Sequence, residues 1–151
     1  MTQTTTFKGR PALAGNAAGS ATVSKAGFNA TASFMDVLFK NANSGICQDH
    51  SNQDLYGLDL ANAILCVPKT IGSSAAACMY MLIVERGIAP KAMLFSESID
   101  SIAACGLIMA DNWSDGDRII TVDGLGQAFL DTVKTGDQID ITADGTVTVY
   151  A

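Results

Sequence analysis

Apolar residues gather in short runs through the middle of the chain, separated by glycine, proline and small polar residues. The run 62–68, NAILCVP, is apolar and partly β-branched, the pattern of a buried strand whose end Pro68 enforces. Helix formers then continue over 73–86, with Ala77, Met81 and Val84 at helical spacing; Gly87 supplies the stop and Pro90 follows it. The unit recurs in outline. A strand at 92–95 feeds a helix over 98–110, and a strand at 118–122 feeds a helix over 125–133. Strands and helices alternating at this length predict parallel pairing through right-handed crossovers.

The two ends follow a different rhythm. The N-terminal stretch TTFKGRPALAGNAAGSATVS is rich in Gly, Ala and Thr and predicts small strands joined by glycine turns. Residues 27–57 carry many Asn, Asp and Gly around one short apolar piece at 34–39; this reads as a long loop, a feature that compact domains usually keep for function or mobility. The C-terminal QIDITADGTVTVYA alternates apolar and polar residues on both sides of Asp144-Gly145 and predicts a hairpin. Strand-rich ends around a βαβα centre give a mixed α/β fold with two sheet layers and flanking helices, in one domain spanning 1–151.

Composition narrows the function classes. With 48% hydrophobic and 16% charged residues among 151, the chain has much apolar surface for few charges, which suggests a partner. A net charge of -6 and no Lys/Arg cluster leave no footprint for nucleic acid. No stretch approaches the roughly 18 apolar residues of a membrane span, and MTQTTTFKGR lacks the apolar centre of a signal peptide, so a cytoplasmic location is expected. Cys47, Cys66, Cys78 and Cys105 form no Cys-x-x-Cys pair and His50 is the sole histidine, which argues against a metal site in this chain. Cys66 and Cys78 lie in apolar runs and read as small core residues, as does Cys105 beside Gly106; Cys47, in a polar loop, reads as the one exposed thiol.

The most informative candidate site is Thr70-Ile71-Gly72-Ser73-Ser74, where a buried strand gives way to a helix. Gly72 lets backbone approach closely, Ser73 or Ser74 can cap the helix, and the free amides of a first helical turn attract an anion. A plain serine cap is the commoner meaning of such a pattern. The loop 47–54 joins His50 to Asp49 and Asp54, a set suited to acid, base or ligand work, and equally to a solvated turn. Lys8 and Arg10 are further candidates for an anion, with solvent exposure the simpler reading; 115–117 reads as a turn and Trp113 as a core or interface residue.

Taken in order, these pieces resemble the small subunit of the aconitase X family. They are the N-terminal KGR with small residues after it, the loop GICQDH, a strand ending in Pro68, the GSS helix start, APKA, the ACGLIMA helix and the terminal hairpin. The resemblance runs from about Phe7 to Val149 and implies a swivelling β/β/α domain that closes over a large subunit, the aconitase X catalytic partner. It implies a hydro-lyase that dehydrates a small hydroxy acid, phosphomevalonate or cis-3-hydroxy-L-proline, the latter favoured here. The iron-sulfur cluster or iron belongs to the partner subunit, and no cofactor is expected in this chain. Ser73 matches the family's catalytic base, Gly72 and Ser74 its substrate-binding helix start, and Asp49 and His50 an acidic-histidine pair in the loop. Ile71 stands where members often carry Arg. A non-catalytic anion-binding or regulatory module of the same fold is the alternative, and a purely structural assembly subunit a third reading.

Overall fold

The computed structural model describes residues 3–151. Eight strands, β1 (Thr4–Lys8), β2 (Arg10–Leu13), β3 (Ala17–Val23), β4 (Ile64–Val67), β5 (Ala92–Phe95), β6 (Ile120–Asp123), β7 (Gln138–Ile141) and β8 (Thr146–Tyr150), form one mixed sheet in the order β1-β8-β7-β3-β4-β5-β6-β2. β3 pairs antiparallel with β7 through its first half and parallel with β4 through its second, which joins an antiparallel wing to a parallel β3-β4-β5-β6 centre. β1 and β2 stand at opposite ends of the order yet are separated in sequence by Gly9 alone, so the sheet curls back on itself. Gly9 is therefore a seam and not the turn its composition predicts: a Cβ there would stand 2.6 Å from both the Asp123 carbonyl oxygen and Val122 Cγ1.

The curl has an inner and an outer face. Ile64 and Cys66 of β4 point inward to Ala21, Val122, Ile139, Val147 and Phe129, the last from helix α5 (Gln127–Thr132). Leu65 and Val67 point outward, where α3 (Ala76–Glu85) and α4 (Ser101–Trp113) cover them through Met79, Ile83 and Leu107. Burial on both faces is why these parallel strands are continuous apolar runs.

The stretch 27–57 is more ordered than its composition predicts. It contains two short helices, α1 (Ala30–Ser33), capped by the Asn29 side chain, and α2 (Met35–Phe39). Phe28, Phe34, Val37 and Leu55 sink from it into the outer core. Three thiols depart from the sequence reading: Cys47 is fully buried, because Cys47 N–H donates to Leu58 and its carbonyl accepts from Gly57, whereas Cys78 and Cys105 are exposed on the outer sides of α3 and α4. Trp113 lies 69% exposed at the end of α4. Among the described residues no helix is long and apolar enough to cross a membrane.

Candidate active site

β4 ends at Val67, just before Pro68, and the chain runs past Phe28, whose N–H donates to Lys69 and whose carbonyl accepts from Ile71. Gly72 then turns with φ +103°, a conformation that side chains resist, and any Cβ would lie 2.7 Å from the Asn29 side chain. This turn delivers Ser73 to the surface. Its Oγ accepts from the Ala75 N–H at 3.1 Å and its carbonyl accepts from Ala76 at 3.0 Å. α3 begins three residues later than the sequence predicts, and neither serine caps it: Ala75 occupies the N-cap with no side-chain bond, while Ser73 closes the turn before the helix.

Beside Ser73 a cleft of about 220 Å³ opens between the starts of α3 and α4, lined by Thr70, Ile71, Gly72, Ser73, Ala76, Tyr80, Asp100, Ile102 and Ala103. Adjacent parallel strands place their following loops side by side, so the β5–α4 loop supplies the second wall. Asp100 is the N-cap of α4, accepting from the Ile102 and Ala103 amides at 2.9 Å each, and its other carboxylate oxygen accepts from the Thr70 hydroxyl. Burial works against its charge, but the Thr70 hydroxyl and those amides outweigh it and hold the carboxyl below its ordinary range. Tyr80 is buried, and burial, with the Asp100 charge second, pushes its phenol upward. The lining contains no Lys, Arg or His. Ser74 is exposed beside Ser73, outside the lining.

The other sequence candidates lie apart from this cleft. Asp49 is buried and orders its own loop, accepting from the Ser51 N–H at 2.9 Å and the Ser51 hydroxyl at 2.6 Å. His50 is exposed, its ring 4.2 Å from that of Tyr56. Neither lines the cleft. Lys8 is paired with Asp144 at 2.7 Å, and Arg10 grips the buried Asp123 with two bonds of 2.9 and 2.6 Å, so both cations already face carboxylates. Among the described residues no group of three or more His, Cys, Asp or Glu is placed to hold a metal ion.

Residues 6–149 match the family model described as the aconitase X swivel domain. The chain belongs to that family. Among relatives, the phosphomevalonate dehydratase small subunit of Thermococcus onnurineus is 30% identical over 91% of this chain and 92% of its own length. That of Methanocella arvoryzae is 30% identical over 93% of each. The crystal structure of Thermococcus kodakaraensis aconitase X, in its holo-form, superposes with a TM-score of 0.79 at 26% identity, covering 96% of this chain and 98% of that one.

In this aconitase X swivel domain the strand–Gly–Ser–helix junction, Thr70 included, was readable in sequence, but Tyr80 and Asp100 were not assigned to it. The available signal was Asp100 itself, a preferred N-cap residue at the second of two neighbouring β–α loops.

Proposed function

We propose that this chain is the small, swivel subunit of an aconitase X-like hydro-lyase, in which Ser73 removes a proton from a small hydroxy acid. The observation that carries this reading is the exposed Ser73 hydroxyl at the rim of a cleft between two helix starts, held by the Ala75 amide. A serine hydroxyl is a weak base unless its alkoxide is stabilised, and that amide and the positive end of α3 act on this oxygen. Ile71 and Ile102 add apolar cover, which strengthens such electrostatic effects by excluding water. The small-subunit names of the relatives support a complex with a large partner. That partner would hold the metal or iron-sulfur centre, which would supply Lewis-acid help to loss of the hydroxyl.

The cleft bears on the substrate. It contains the Asp100 carboxylate and no cation, a poor setting for a phosphate and a poor one for a general anion-binding module. Of the two acids, cis-3-hydroxy-L-proline brings a carboxylate but no phosphate against the Asp100 charge, and so suits the cleft better than phosphomevalonate. The test is to co-express the chain with a large aconitase X subunit and assay dehydration over a panel containing both acids. Turnover requiring both chains and favouring the unphosphorylated acid is expected; absence of association, or activity in the large subunit alone, would contradict the reading.

A further inference from the structure

Tyr80 carries a buried hydroxyl without a hydrogen-bond partner at the wall of the cleft. Its ring is wedged between α3 and α4 where Gly106 makes room: a Cβ at that glycine would stand 2.7 Å from Tyr80 Cδ2. The residue is 1% exposed and lines the cleft, and its hydroxyl has no hydrogen-bond partner among the described residues. Thr70, Ser73 and Asp100, the other polar side chains of the lining, all have one. A buried hydroxyl left unpaired is disfavoured, and of the unpaired buried side chains among the described residues Tyr80 alone lines the cleft, where a group from outside the chain can supply the bond.

The chemistry of that outside group follows from its neighbours. Burial and the Asp100 charge keep the phenol protonated, so Tyr80 donates. Asp100 is held ionised and accepts. A group between them has to accept from one and donate to the other, which an alcohol does; a carboxylate or phosphate only accepts and meets the Asp100 charge. We propose that Tyr80 is a substrate-binding residue that donates a hydrogen bond to a hydroxyl of the substrate, which in turn donates to Asp100. This rests on the hydro-lyase reading and adds to it the contact residue and the substrate group recognised.

The experiment is Tyr80→Phe in the two-subunit complex, with kcat and KM measured for the hydroxy acid that the wild-type complex dehydrates, and Tm measured on the isolated chain. The expected result is a fall in kcat/KM of about tenfold, carried by KM, the factor one such bond represents. Tm stays level or rises, because an unpaired buried group has been removed. Kinetics within about twofold of wild type would overturn the proposal. A lowered Tm would overturn it too, since a hydroxyl the fold needs already has its partner there. If the wild-type complex dehydrates no member of the panel, the hydro-lyase reading itself fails and this inference with it; unchanged Tyr80→Phe kinetics in an active complex removes the inference alone.

Discussion

Two aspartates show how single residues hold this structure. Asp123, at the end of β6, is almost wholly buried and takes both Arg10 bonds and the Ile99 amide at 2.7 Å, tying β2 to the loop that leads into α4. Burial opposes its charge, but Arg10 and that amide outweigh the penalty and keep its carboxyl below the ordinary range, as Thr70 and the helix amides do for Asp100. Carboxyls depressed in the folded state leave the unfolded chain binding more protons in acid. Their stabilisation is therefore present above the ordinary carboxylate value and is lost as pH falls from it through the depressed folded value. Thermal unfolding followed against pH should show a flat Tm down to about pH 5 and a decline below about pH 4. Asp123→Ala should cost roughly 1–3 kcal/mol at neutral pH, since the Ile99 amide loses its partner, and should flatten the acid decline. An unchanged acid profile in that variant would place the pH dependence elsewhere.

At the scale of elements, the contact between α3 and α4 sets the cleft. At Gly106 they approach closely, its absent Cβ falling 2.6 Å from Ala77 Cα and 2.7 Å from the Tyr80 ring. Gly106→Ala should destabilise by roughly 1–3 kcal/mol through overpacking, against the gain of about 1 kcal/mol that alanine brings to a helix interior. Urea unfolding measures the balance, and a more stable variant would refute the close contact. The central elements were legible because each signal was local: β5 falls at the residues its apolar run predicts, and β4 within its own. Helix and strand ends shifted by one to three residues, in one case because a cap decides the boundary, as Asp100 does by starting α4 at Ser101. The stretch 27–57 was less legible because its core residues, Phe28, Phe34, Val37 and Leu55, follow no helical or strand period and sit among asparagines and aspartates. Cys47 was misjudged for the same reason, its polar neighbours hiding a backbone that folds under Leu58.

At the scale of the molecule, the curled sheet serves as a rigid mount for the loops after β4 and β5. Ser73 could be read from one of those loops alone. Tyr80 and Asp100 could not, because their meeting depends on the parallel pairing of two strands and on a helix contact far along the chain. The proposed chemistry adds a second subunit that closes over this cleft, a reading supported by the small-subunit names of the relatives. The most direct measurement is the dehydration rate of the assembled two-subunit enzyme with wild-type chain and with Ser73→Ala, assembly checked by size-exclusion chromatography. A loss in kcat of roughly 10²- to 10⁴-fold with assembly intact is the predicted result, the range a positioned base contributes. An assembled Ser73→Ala enzyme turning over at the wild-type rate would contradict the account.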